Sequence, residues 1–516
     1  MNVEPLDPIP ERRDDTESIP TAPVLQPVAR TRGWRGKNRG KNTRAPRGVS
    51  PSYFRFPGTP ALKKLAESSP PTQAMSLLGR LAGTPYANPI GRDETAEDIR
   101  SALGFVLDLG EALYRFGATA LEVESSAIAV TASFKIDDVE VDVTNQSLIL
   151  NYAPVDGSGY TLSRVVRSWS QNFAGLAALH RLVTDIAAGE ITQAEAQAEF
   201  DEITRKPKPF PKWVALLAAG VFAGLFVAYL GGSWLEAMLS LASTLLVMWT
   251  IGVLGRGRVP EFFTTMAGGF IATSVAFWVA VLEVPVAPSM VVAGGLMMLL
   301  PSARFVSAVQ DGINGFPLTA AGRFVSASLS YSAMVAGIVA AVVLADKFGM
   351  AELNIVEVQP STLPIIAVGA IVMGAAGADA IVEQSEKRLL LPTALVSLAG
   401  YAGYTIATEF GAGPRLTPAI AATVIGAAAR AVALRMGAPQ LVIAVPAILF
   451  LLPGLAIFRS MYAIAMDSGA IVDGLVGMFN ASMVIMAIAA GVALGDTIAR
   501  PLTPSPLIFQ KRRRRR

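Results

Sequence analysis

The residues of this chain that could do chemistry sit between apolar runs. The stretch PSARFVSAVQDGINGFPL, residues 301–318, carries Arg304, Gln310, Asp311 and Asn314 beside the breakers Gly312, Gly315 and Pro317, with Arg323 just beyond. One apolar run ends at Leu299-Leu300-Pro301 before it, and another begins near Thr319 after it. Irregular polar backbone between two lipid-embedded runs survives only when buried in protein or lining a wet cavity. The stretch is therefore read as an irregular link that forms part of a transport path. Asp379, Glu383 and Asp496 are further acids close to or within apolar runs, where an ionisable group is costly unless paired or wet. Three of the four acids have a plainer alternative: Asp311 as a cap on the following turn, Glu383 as part of the EQSEKR loop, Asp496 as an end residue beside Arg500. Arg304, Arg323 and Arg459 serve either the path or membrane topology. Pro453-Gly454 interrupts a later run, and interrupted spans mark transporter sites.

Other chemistries find little support. There is no cysteine and a single histidine, which removes disulfides, thiol catalysis and thiolate-bound metals. No GxxxxGK[ST] loop signals ATP hydrolysis, and neither a cofactor nor a metal is expected. Asp137, Asp138, Glu140 and Asp142 alternate along a strand-like stretch and read as a solvated face. His180 lies in a helical stretch with no partner motif and reads as a packed or surface residue.

The elements that must position these residues are membrane helices. Hydrophobic residues make up 52% of the 516-residue chain and charged ones 16%, with mean hydropathy +0.47, which is beyond the usual soluble range. Ten apolar runs follow Trp213: about 213–230, 234–254, 262–282, 289–301, 319–345, 363–382, 389–408, 417–434, 440–458 and 475–497. Most approach the ~20 residues that span a bilayer. Leu299-Leu300-Pro301 and Leu451-Leu452-Pro453 lie 451 − 299 = 152 residues apart, and the same shift superposes the first five runs on the last five. Five spans separate equivalents, so the predicted architecture is an α-helical polytopic membrane protein with a 5+5 inverted repeat, its halves at 213–345 and 363–500.

Before them, residues 1–92 form a basic, Pro-rich arm predicted to be disordered, and its opening MNVEPLDPIPERRDD has no apolar core of a cleaved signal. Residues 95–204 are predicted as a small α+β domain with helices to about 117, at 120–134, 172–188 and 193–204, and two strands joined through Asn145 and Gln146. Residues 501–516 form a basic tail. Arg256, Arg258, Arg304, Arg323, Lys387, Arg388, Arg430, Arg435 and the tail fall on one side, while Glu283, Asp346, Glu352, Glu357 and Glu409 fall on the other. The positive-inside rule then makes both termini and the α+β domain cytoplasmic. The basic arm and tail suit contact with anionic lipid rather than nucleic acid. GxxxG spacings at Gly220/Gly224 and Gly491/Gly495 predict close helix packing.

The strings EALYRFGATALEVESS at 111–126, VQDGINGFPLTAAGRF at 309–324, LLPGLAIFRSMYA at 451–463 and GVALGDTIAR at 491–500 resemble the threonine/serine exporters of bacteria, in the single-chain form associated with actinobacteria. The resemblance covers about residues 95–500. It implies ten helices, a cytoplasmic amino-terminal domain and export of L-threonine and L-serine across the bacterial cytoplasmic membrane, driven by protons, with self-association left open. A zwitterionic substrate needs a helix amino end or an arginine for its carboxylate and acceptors for its ammonium; Thr319, Ser302 and Asn480 are candidates for its hydroxyl. The alternatives are a passive facilitator for small polar solutes and a membrane-bound hydrolase acting through the 95–204 domain.

Overall fold

The computed structural model describes residues 84, 86 and 99–502, apart from 137–138, 145, 154–158, 167–168, 351–362 and 467–470. The arm to residue 92 apart from residues 84 and 86, the tail from 503, Asp137, Asp138, Asn145, Glu352 and Glu357 lie outside the described residues.

The α+β segment begins with α1 (Ile99–Arg115), whose apolar positions recur at helical spacing and bury Leu103, Val106, Leu109 and Leu113. Next comes α2 (Ala120–Ser133), which starts at a capping box: Thr119 Oγ1 accepts from the Glu122 amide, and the Glu122 carboxylate accepts from the Thr119 amide. β1 (Val139–Val143), β2 (Ser147–Tyr152) and β3 (Tyr160–Val165) form an antiparallel sheet in that order. β1 turns Val139, Val141 and Val143 inward and Glu140 and Asp142 outward, so the described acids of that strand lie on its solvated face. α3 (Phe173–Ala187) and α4 (Gln193–Arg205) close the segment. β3 is an addition to the two expected strands, and none of its six residues is fully buried.

The membrane helices are α5 (Lys212–Tyr229), α6 (Trp234–Arg256), α7 (Glu261–Val281), α8 (Pro288–Met297), α9 (Ser302–Ile313), α10 (Pro317–Lys347), α11 (Ile365–Val382), α12 (Lys387–Glu409), α13 (Gly413–Met436), α14 (Gln440–Ile448), α15 (Gly454–Met466) and α16 (Ile471–Ala499). Among the described residues, eight are long and apolar enough to cross a membrane, or ten spans if each bent pair counts as one. The bent pairs are α8 with α9, at 54°, and the stretch from α14 to Leu451 with α15, at 53°. The expected irregular link is corrected here: residues 302–313 are helical, and the break is confined to the few residues around Pro301, whose ring cannot donate the amide that would continue α8. The polar residues of α9 do not require loose backbone because Gln310 and Asp311 are buried against neighbouring elements.

Small residues bring the helices close. A Cβ on Gly491 would lie 2.5 Å from the Ala419 carbonyl oxygen, and one on Gly495 within 3.0 Å of the Thr423 carbonyl oxygen, so α16 rides directly on the α13 backbone. Gly220 and Gly224 of α5 face α6 in the same way, against Leu241 and Ala237.

Candidate functional site: a cavity at a broken helix

Asp311 and Arg323 contact the α+β segment. Asp311 is fully buried; one carboxylate oxygen accepts from the Ala120 amide at 2.8 Å and the other pairs with Arg323 Nη1 at 2.8 Å. The carboxylate therefore sits on the positive end of α2 rather than capping its own following turn. Arg323 also donates to the Ala118 carbonyl at 2.8 Å and lies over the rings of Tyr114 and Trp169, 4.6 and 5.1 Å from their centroids. Thr319 donates to the Val143 carbonyl at 2.8 Å. A buried ion pair of this kind fixes geometry, because removing either member would strand the other's charge.

The two breaks meet. Gly454, which opens α15, is so close to Met297 that a Cβ there would sit 2.5 Å from its Sδ and 3.7 Å from Leu300. Beside the first break lies a cavity of about 310 Å3 lined by residues 297–304, with Leu449 from the second break, and by Asp379 and Glu383 of the α11 end. Asp379 is 3% exposed, and among the described residues its Oδ2 has no hydrogen-bond partner. Glu383 follows one turn later and lines the same cavity. α9 starts here without a side-chain cap, so the amide-rich positive end of a helix faces the space that holds the two acids. Arg304 lines the cavity too, held by Glu261 at 2.6 Å and Ser330 at 2.9 Å.

The remaining candidates are distributed elsewhere. Gln310 and Asn314 line a separate cavity of about 110 Å3, between α2 and the ends of α13 and α16. Asp496 borders it and accepts from Arg430 at 2.9 Å and from Arg500 at 2.9 and 3.0 Å. His180 is buried there with its Nδ1 2.6 Å from the Tyr86 hydroxyl, and burial, helped by the Arg181 charge, pushes its pKa down to about 4. Asn480 accepts from Arg415, Arg459 is half-buried on α15, and Ser302 lines the larger cavity. Sequence reasoning missed Glu261 and Gln171. A lone acid in the basic loop RGRVPE signalled Glu261. Nothing in the sequence signalled Gln171, a neutral residue of the α+β segment that lines the cavity at the break.

Residues 104–345 match a family model described as "Putative threonine/serine exporter", and residues 367–498 match one described as "Threonine/Serine exporter, ThrE". A Mycobacterium tuberculosis protein named "Probable threonine/serine exporter" is 30% identical over 83% of this chain and 82% of its own length. The chain belongs to the threonine/serine exporter family. Within that family, the Corynebacterium glutamicum "Threonine/serine exporter" is 29% identical over 79% of this chain and 84% of its own. A more distant relative, the Escherichia coli "Probable succinate transporter subunit YjjP", is 21% identical over 48% of this chain and 96% of its own. No solved structure matches the chain significantly. Family and helices together make it a multi-pass protein of the cell membrane.

Proposed function

We propose that the protein is a secondary exporter of L-threonine and L-serine, coupled to protons, whose substrate site is the cavity at the first break. The observation that carries the reading is Asp379, which lines that cavity together with the uncapped start of α9 and whose buried Oδ2 has no hydrogen-bond partner among the described residues. Such a cavity can hold both ends of a zwitterion: the carboxylate on the amino end of α9, the ammonium on Asp379 and Glu383. An acid buried beside a second acid is also suited to exchange a proton for the ammonium, which would link the gradient to the cargo. Asp311, engaged on both oxygens, is assigned to docking, and Arg304 to orienting the cavity wall through Glu261.

Two inverted halves accord with the similar bends of 54° and 53°, with the contact between the breaks, and with family matches that divide between 345 and 367. A relative named as a subunit matches over a length equal to about half of this chain, as expected if each half is a unit. The helix ends that touch the α+β segment carry Arg323, Arg430, Arg388 and Arg500, and so the segment is read as cytoplasmic.

Purified protein in proteoliposomes should release labelled threonine faster when a pH gradient is imposed. Asp379→Asn should lose that acceleration by 10-fold or more while retaining threonine exchange. Gradient-driven release by Asp379→Asn equal to the parent's would remove Asp379 from the mechanism. Parent flux indifferent to the gradient would leave a facilitator, and absence of threonine or serine flux would overturn the substrate reading.

A further inference from the structure

A third cavity, of about 130 Å3, lies between α9 and the α+β segment, bordered by Trp169, Ser307 and Arg323. Ala303, Arg304, Gln171 and Glu383 line both this outer cavity and the inner one at the break. Those four residues therefore form the neck shared by two spaces; the outer one is bordered by Trp169, which is 44% exposed, and the inner one also by Glu261, whose side chain is 60% exposed. Across the neck, Gln171 Nε2 donates to Glu383 Oε1 at 3.4 Å.

The backbone on both sides of this contact is tightly placed. The Phe173 and Ala174 amides at the start of α3 donate to the Glu383 and Gln384 carbonyls at 3.1 and 2.9 Å, so the positive end of α3 meets the negative end of α11. Lys208 Nζ donates to the Gln171 carbonyl at 2.7 Å, and the Phe210 amide to Gln384 Oε1 at 3.1 Å. Arg181 pairs with Glu386 at 2.5 Å. The Gln171 side chain, by contrast, ends in one long hydrogen bond on an exposed residue, which is weak enough to open without disturbing the dock.

We propose that Gln171 is a residue of the export path supplied by the α+β segment, and that its contact with Glu383 closes the neck through which a small zwitterion passes between the outer and inner cavities. The inference rests on the inner cavity being the substrate site. A neutral amide is suited to this place: it accepts from an ammonium and donates to a carboxylate, holding neither, and it hands the cargo to the acids beyond.

The chain has no cysteine, so single cysteines can be placed without removing others. Thr265, which lines the inner cavity only, would be changed to cysteine in sealed vesicles with the α+β segment outward, and a membrane-impermeant charged thiosulfonate added outside. The label should reach Thr265→Cys at least 5-fold faster when Gln171→Gly opens the neck and at least 5-fold slower when Gln171→Trp fills it. Ser307→Cys in the outer cavity should label alike in all three backgrounds. A Thr265→Cys rate unchanged within 2-fold by both Gln171 variants would overturn the proposal, as would Ser307→Cys rates that follow Gln171 in the same way, which would point to movement of the whole segment. Labelling needs no transport, so it tests the neck even if threonine flux fails, and threonine flux in the parent tests the substrate reading by itself.

Discussion

The pair Asp311 and Arg323 shows how a membrane protein uses charge for docking. Arg323 is 2% exposed and Asp311 not at all, so Arg323→Ala leaves a buried carboxylate without its cation and should cost about 3–5 kcal/mol, read as a lowered thermal unfolding midpoint in detergent. Asp311→Asn/Arg323→Gln should lose less than the sum of its single changes; strict additivity would show that the pair is not coupled. In transport, Asp311→Asn should keep the response to a pH gradient at matched folded protein, since its carboxylate is committed to α2. His180 offers a test in pH. The unfolded imidazole takes its proton near 6.5 and the native one only near 4, so the native state binds fewer protons in between. Its contribution is complete above 6.5 and is lost as the pH falls toward 4, a loss of up to about 3 kcal/mol. Burial raises the neighbouring Glu122 to about 7, which acts with opposite sign, so the measurement is the difference between parent and His180→Gln midpoints from pH 7 to 4.5. That difference should shrink with acid, and a constant difference would refute it.

At the scale of helices, the approach of α16 to α13 depends on hydrogen atoms where side chains would otherwise be. Gly495→Ala places a methyl against the Thr423 carbonyl and should destabilise by about 1–3 kcal/mol or more, whereas Gly252→Ala in α6, with nothing within 4 Å of its new Cβ, should be neutral or stabilise by up to about 1 kcal/mol. Comparing the detergent half-lives of the two variants checks both. The spans were legible because a bilayer demands about twenty apolar residues in a row, and the breaks because proline marks them. α9 was misread: Gly312 and Gly315 resemble a loop, yet the first sits in its last turn and the second just beyond, and Asp311, which made the stretch seem unfit for a helix, is met by the start of α2, about 190 residues earlier in the chain. β3 was missed because Thr161, Ser163 and Val165 are exposed while Tyr160, Leu162 and Arg164 are half-buried, which leaves little apolar alternation to read. Asp379 and Glu383 were legible as embedded acids. That the first of them lines one cavity with an open helix start was not, because spacing cannot report which elements surround a side chain.

For the whole molecule, the α+β segment meets the membrane helices at Asp311, Thr319, Arg323, Glu383 and Glu386, among others, residues next to the breaks and loops that carry the basic side chains. Reporters fused after Arg258, Arg388 and Arg500 should therefore report the cytoplasm, and one at Gly411 the outside. An external signal after Arg388 would contradict both the ten-span count and the inverted halves. The seating of α3 on the end of α11 also has a consequence for biogenesis. Arg181 leaves the ribosome 205 residues ahead of Glu386, which at 5–20 residues per second is a delay of about 10–40 s. Asp311, Thr319 and Arg323 are made before Glu386, so the face that holds Tyr114 and Trp169 meets its membrane partners first, and the seat of α3 on the end of α11 forms after it.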